Sequence, residues 1–77
     1  MVILSFKNVP DSYIEVGNYD DGNVSYYYDL KSKYFYRYEF TGEEYLVDEI
    51  SPDWNGIEYD ELIESYGDEL LKYLGEE

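Results

Sequence analysis

Carboxylates are the residues of this chain with the chemistry to act on another molecule. The 77 residues contain 19 acids and five bases, a net charge of −14, with no histidine and no cysteine. Without histidine the chain lacks the commonest general base and the commonest metal ligand. Without cysteine it has neither a disulfide framework nor a thiolate zinc site. The carboxylates are therefore the most numerous candidates for catalytic or metal chemistry.

Paired carboxylates can act as the acid and base of a glycosidase. With 19 acids in 77 residues, however, such pairs arise by chance, and a chain of this length hardly encloses a substrate cleft. The sequence therefore predicts no catalytic residue, no cofactor and no enzymatic activity.

One stretch has a faint likeness to a calcium-binding loop. Asn18, Asp20, Gly22 and Asp29 occupy positions 1, 3, 5 and 12 of an EF-hand spacing. An EF-hand needs glycine at position 6 and a bidentate glutamate at position 12, where this chain has Asn23 and Asp29. The flanking segments also have the pattern of strands. A hairpin turn explains this stretch better, and no metal site is predicted.

The charge is concentrated in one half of the chain. Residues 1–38 carry five acids and four bases, whereas residues 39–77 carry fourteen acids and a single base, Lys72. Like charges repel one another and destabilise a compact state, so a fold must tolerate this concentration. Undirected surface charge for solubility is one explanation. We favour an interaction face in the second half.

The elements that would carry this face are an antiparallel sheet and a helix. Strand-like patterns cover residues 2–6, 12–16, 24–30, 34–40 and 44–50. Turn residues separate them, and the pair Asp21 and Gly22 is a strong hairpin signal because both residues tolerate positive φ. We therefore predict an α+β fold, with four or five antiparallel strands and one C-terminal helix packed across them, in a single domain spanning residues 1–77.

The helix is predicted from apolar residues at three- and four-residue spacing. Gly67 weakens it by about 1 kcal/mol relative to alanine and marks a point where it could break. Ser51 and Asp53 are candidate caps of a short preceding turn, Pro52 suits a first helical position, and Gly75 suits a C-terminal stop. The apolar positions are Tyr59, Leu62, Ile63, Tyr66, Leu70, Tyr73 and Leu74.

A hydrophobic core is available despite the charge. Of the residues, 44% are apolar and twelve are tyrosines, which are expected mainly in the core and on the sheet. Each tyrosine can bury roughly 150–250 Å², so the charge does not indicate disorder. The N-terminal apolar stretch is too short for a signal peptide or a membrane span. This pattern predicts a cytoplasmic protein with no membrane association.

The predicted helix arranges its acids in regular rows. Asp60, Glu64 and Asp68 stand four residues apart, about 6 Å along a helix axis. Regularly spaced anions suit a groove lined with lysine and arginine that binds phosphates. Direct binding of nucleic acid is not expected, because a net charge of −14 repels phosphates. The predicted partner-binding residues are Glu43, Glu44, Asp48, Glu49, Asp53, Glu58, Asp60, Glu61, Glu64, Asp68 and Glu69.

In size, net charge, α+β pattern and clustered acids such as Glu43-Glu44 and Asp60-Glu61, the chain resembles the small acidic DNA-mimic inhibitors encoded by phages. These include anti-CRISPR proteins, anti-restriction proteins and uracil-DNA glycosylase inhibitors. They mostly share no sequence motif, so the resemblance is to the class and transfers no individual residue. It implies an inhibitor, monomeric or homodimeric, that occupies a basic nucleic-acid-binding protein in the host cytoplasm. For an anti-CRISPR protein the target is the PAM-reading site of a Cas effector.

Two alternatives remain open. An acidic immunity or antitoxin protein that neutralises a basic nuclease toxin would need nearly the same surface. A structural module that assembles through tyrosine-rich strands would self-associate even at high salt, whereas an inhibitor of the first kind would form a salt-sensitive complex with its target.

Overall fold

The computed structural model describes residues 2–74, which form a five-stranded antiparallel sheet and one α-helix. The sheet has the order β1-β5-β4-β3-β2, and its strands are all paired antiparallel. This confirms the predicted α+β fold with a C-terminal helix. The elements are β1 (Val2–Leu4), β2 (Tyr13–Tyr19), β3 (Val24–Asp29), β4 (Phe35–Phe40), β5 (Tyr45–Ile50) and α1 (Gly56–Leu74).

The turn between β2 and β3 has the geometry that its sequence predicts. Asp20, Asp21 and Gly22 have φ angles of 56°, 57° and 90°. Asp visits this left-handed region more readily than most residues, and Gly does so without a steric penalty. The hairpin interpretation of this stretch is therefore confirmed.

The loop between β3 and β4 is organised by the buried carboxylate of Asp29. It accepts hydrogen bonds from the backbone N–H of Lys31 at 3.0 Å and from the hydroxyl of Ser32 at 2.9 Å. Burial alone would raise the pKa of Asp29, but the donors at Lys31, Ser12 and Ser32 favour the charged form and hold the pKa below its ordinary value. The carboxylate thus ties the loop together through these donors.

Strand β2 extends three residues beyond its predicted end at residue 16. A β-bulge between Glu15 and Gly17 shifts the pairing with β3, and the strand continues to Tyr19. A β-carbon on Gly17 would lie 2.5 Å from the hydroxyl of Tyr66 on α1. Gly17 therefore makes room for the helix, although its sequence context indicates a turn. The hydroxyls of Tyr19 and Tyr66 form a hydrogen bond above it.

One face of the sheet packs against α1. Tyr28, Phe35 and Ile50 are opposite one another on adjacent strands, and all three are buried with Leu62 and Leu70 of the helix. Cross-strand aromatic and β-branched neighbours of this kind stabilise a sheet together. Four residues of the predicted apolar stripe, Tyr59, Leu62, Tyr66 and Leu70, thus face the sheet, whereas Ile63 and Tyr73 are exposed.

The opposite face of the sheet holds a second apolar cluster under the segment that joins β1 to β2. Tyr27, Tyr38 and Val47 are buried there. The Tyr38 hydroxyl donates a 2.6 Å hydrogen bond to the carbonyl of Asn8, and the Lys7 ammonium lies 5.1 Å from the centre of the Tyr27 ring. Because the chain leaves the sheet after Leu4 to cover this face, β1 is shorter than predicted.

The helix begins earlier than its apolar stripe and is continuous. It starts at Gly56, and its first turn is closed by a 2.9 Å hydrogen bond from the N–H of Tyr59 to the carbonyl of Asn55. The helix continues through Gly67 without a break. Pro52 lies in the preceding turn, so its predicted place at the first helical position was wrong. Because Asn55 has a positive φ of 63°, which is not helical, the helix starts after it and not at Pro52. The predicted stop at Gly75 is outside the described residues.

Candidate anionic binding face

Three acids form a row along the outward side of α1. Leu62 and Leu70 are buried against the sheet, and successive residues of a helix turn by about 100°. The positions two residues away from these leucines therefore point outward, and they carry the acids Asp60, Glu64 and Asp68, followed by Lys72. All three side chains are exposed. We call these three carboxylates the outer row.

The acid density of the helix can be compared with the charge density of one DNA strand. Nineteen residues span about 28 Å at 1.5 Å per residue. A single strand of B-DNA carries about eight phosphates over that distance, and a duplex about twice as many. With six acids and one base, Lys72, α1 carries a net charge of −5 over this distance, about 60% of the charge of one phosphate backbone. The helix acids are Glu58, Asp60, Glu61, Glu64, Asp68 and Glu69.

Two of the predicted partner-binding acids are bound inside the fold by Arg37. One guanidinium nitrogen of Arg37 lies 2.8 Å from a carboxylate oxygen of Asp48, and the other lies 3.2 Å from one of Glu58. The Tyr26 hydroxyl donates to the same Glu58 oxygen at 3.2 Å. We call Tyr26, Arg37, Asp48 and Glu58 the Arg37 cluster.

The sheet register explains how the Arg37 cluster forms. Arg37 pairs with Tyr26 on one side and with Asp48 on the other, so the three side chains share the face covered by α1. Glu58 reaches them from the first turn of the helix. The hydrogen bond to Asp48 raises the pKa of Arg37 above its ordinary value, and the guanidinium remains charged. The carboxylates of Asp48 and Glu58 are therefore already engaged within the protein.

The acids around β5 do not form a single patch. Glu49 is exposed and follows Asp48 directly, so it points to the opposite face of the sheet. Glu43 and Glu44 lie in the turn before β5, and Asp53 lies beyond its other end. Six strand residues span roughly 20 Å, which separates these two groups.

Asp53 and Glu69 lie at the borders of the helical acids. Asp53 is exposed in the turn just before α1. Glu69 is exposed and lies 3.4 Å from the ammonium of Lys72, a surface pair that contributes little to stability. Together with the outer row and Glu61, these residues follow the length of the helix. Their role in partner binding remains a prediction.

Three residues of this region were not anticipated from the sequence. Arg37 had no predicted role, since only the register of β4 and β5 brings it to Asp48 and the helix. Trp54 and Ile57 are strongly exposed beside the helical acids. The sequence does contain a signal for the exposure of Ile57, because its position does not fit the apolar stripe of the helix.

Within residues 2–74 the structure contains no pocket and no cluster of three or more acids that could hold a metal ion. In the same part of the chain, no helix has the length and apolar character needed to cross a membrane. The feature of the described surface that could bind a partner is the set of exposed carboxylates on α1.

Comparison with known proteins gave no relative from which a function could be transferred: no protein-family model, no curated protein and no solved structure matches this chain.

Proposed function

We propose that this protein is a stoichiometric inhibitor that binds the basic nucleic-acid-binding surface of another protein in place of DNA. The outer row is the observation that carries the proposal. Its three exposed carboxylates repeat about every 6 Å along the axis of a continuous helix, whose other side packs on the sheet. The helix fixes the backbone positions of these acids before binding, so only their side chains need to be ordered when a partner engages them.

The chemistry of this face selects a cationic partner. Lys72 is the one base on α1, against six acids, so phosphates are repelled while lysine and arginine side chains are attracted. Attraction at long range speeds association and weakens as salt screens it. Arginine suits the face best, because a guanidinium can bind a carboxylate through two hydrogen bonds.

The narrower proposal is an anti-CRISPR protein that blocks PAM recognition by a Cas effector in the host cytoplasm. PAM-reading sites use arginine to bind the major groove, next to residues that hold the phosphate backbone. A helix that carries more than half the charge of one DNA strand over its length offers carboxylates to such a site. The resemblance to small acidic phage inhibitors supports the same target class, and the mechanism needs no cofactor or metal.

Competition with DNA tests the proposal. A labelled PAM-containing duplex is bound to a panel of guide-loaded Cas effectors, and its release is followed by fluorescence anisotropy as the protein is added. We expect release from a susceptible effector with a stoichiometry near one, and weaker release when salt rises from about 0.1 to about 0.5 M. The variant D60K/E64K/D68K should lose at least about tenfold in potency.

A matched variant separates the outer row from net charge. D11K/E15K/E39K replaces three exposed acids elsewhere and brings the same change in net charge, from −14 to −8. It should compete much better than the outer-row variant. If both variants lose the same potency, net charge alone explains the effect, and the proposal that the outer row mimics DNA is contradicted. Release of DNA from a nuclease toxin, but from no Cas effector, would favour an immunity protein.

A further inference from the structure

Two large apolar side chains are exposed beside the acids at the start of α1. Ile57 is 81% exposed and Trp54 is 68% exposed, the highest values for large hydrophobic residues in the described part of the chain. Scattered apolar residues are normal on a protein surface. These two are three positions apart, and Trp54 is the single tryptophan of the protein.

The backbone of Trp54 is fixed by its neighbours. Its N–H donates to the Ser51 hydroxyl at 3.1 Å and to the Ser51 carbonyl at 3.2 Å, while its own carbonyl accepts from the Ser51 N–H at 2.8 Å. Ser51 is itself buried. The side-chain amide of Asn55 donates to the carbonyl of Glu49 at 3.4 Å, which attaches the turn to β5. An exposed indole is thus presented from an ordered backbone.

Ile57 lies on the same side of the helix as the outer row. It precedes Glu64 by seven residues, which is close to two full turns. Glu61 and Asp60 follow within the next turn, and Asp53 stands on the other side of Trp54 along the chain. Both apolar side chains therefore have acids as near neighbours along the chain, and neither belongs to the two core clusters.

We propose that Trp54 and Ile57 are the apolar anchor of the interface, and that the partner is a protein whose lysine and arginine side chains border an apolar pocket. The inference rests on the proposed function and adds a requirement that DNA mimicry alone does not contain. Binding energy in protein interfaces concentrates in desolvated aromatic and aliphatic anchors surrounded by polar groups. Carboxylates around the anchor select a cationic border, and the anchor distinguishes one basic protein from others.

Two synthetic peptides without tryptophan test the anchor. Both contain the same lysines and arginines; the remaining positions are leucine in one peptide and serine in the other. Fluorescence of Trp54 and calorimetry measure binding at about 0.3 M salt, where long-range attraction is screened. We expect the leucine peptide to bind about tenfold more tightly than the serine peptide and to shift the Trp54 emission to the blue.

The variants W54A/I57A and F6A complete the test. W54A/I57A should lose the preference for the leucine peptide and keep its affinity for the serine peptide. F6A removes a comparably exposed aromatic residue (66% exposed) in the segment that covers the other sheet face, and it should behave as the wild type. Circular dichroism confirms that each variant is folded.

The two proposals fail in different ways. If W54A/I57A binds the leucine peptide as tightly as the wild type does, or if it loses affinity for both peptides equally, the anchor is refuted. If D60K/E64K/D68K binds the serine peptide as well as the wild type does, the anionic face is refuted while the anchor can still stand.

Discussion

The carboxylates of this protein fall into two sets with opposite surroundings. Asp29, Asp48 and Glu58 have partners inside the fold: backbone and hydroxyl donors for the first, Arg37 for the other two. The outer row projects from the far side of the same helix that carries Glu58. Among residues 2–74, no lysine or arginine forms an ion pair with these three carboxylates.

The difference between the sets indicates which acids are free to bind. A carboxylate that already holds Arg37 would have to give up that interaction before binding a partner. A carboxylate of the outer row repels its neighbours in the free protein, and a cationic partner would relieve that repulsion. We call Asp29, Asp48 and Glu58 the inner acids and the outer row the outer acids. The inner acids should therefore stabilise the fold, whereas the outer acids should lower its stability but remain available to bind a partner.

Arg37→Met should produce the largest effect on this contrast. It leaves two partly buried carboxylates without their cation, while methionine retains much of the apolar stem. Complete burial would cost about 3–5 kcal/mol. Because these side chains are about 30% exposed, we expect a loss of about 2 kcal/mol in the free energy of unfolding, measured with urea. Lys31→Met, at an exposed lysine, should change it by less than about 0.5 kcal/mol.

Asp29→Asn should come next, with an effect that depends on pH. Since the pKa of Asp29 is lowered in the folded state, its charged form contributes stability above the unfolded pKa of about 4, and that contribution disappears as pH falls through the folded pKa. We expect the variant to be about 1–2 kcal/mol less stable at neutral pH. The difference should shrink in urea titrations towards pH 2; a constant difference would assign the effect to packing.

Glu58→Gln and Glu64→Gln compare the two sets with one chemical change on one helix. Glu58→Gln weakens the attraction to Arg37 and should lower the free energy of unfolding by about 1 kcal/mol. Glu64→Gln removes repulsion from Asp60 and Asp68 and should raise it by a few tenths of a kcal/mol. Thermal unfolding at low salt measures both. Changes of the same sign would remove the distinction between inner and outer acids.

Salt should have the smallest effect. Raising it from about 0.05 to about 0.5 M screens exposed charges far more than partly buried pairs. The wild type should become more stable by roughly 0.2 kcal/mol, whereas D60N/E64Q/D68N should gain less, because its outer row carries no charge. An equal gain in both proteins would mean that the outer row is not the source of the repulsion.

The fold was predictable because its signals are local. Turn residues such as Asp21 and Gly22 and the spacing of Leu62 and Leu70 depend on neighbours within a few positions, and the structure confirms the elements they predict. The Arg37 cluster depends on the register of β4 with β5 and on the position of the helix. Local patterns do not specify either.

The candidate site was predictable only in part, for the same reason. The outward direction of the outer row follows from helical periodicity, which is local. The engagement of Asp48 by Arg37 follows from tertiary contacts, and so does the position of Gly17 under Tyr66. Exposure of Trp54 depends on the Ser51 turn, and an isolated tryptophan in a sequence indicates burial as readily as exposure.

Strand β1 pairs with β5, from Val2 opposite Val47 to Leu4 opposite Tyr45, whereas the other pairings join consecutive strands. Short loops close at a lower entropic cost than long ones, so strands β2 to β5 should assemble first and β1 should dock last. During synthesis β1 leaves the ribosome before the other four strands of this sheet and must therefore wait for β5. Until then its apolar edge is open to chaperones and to other nascent chains.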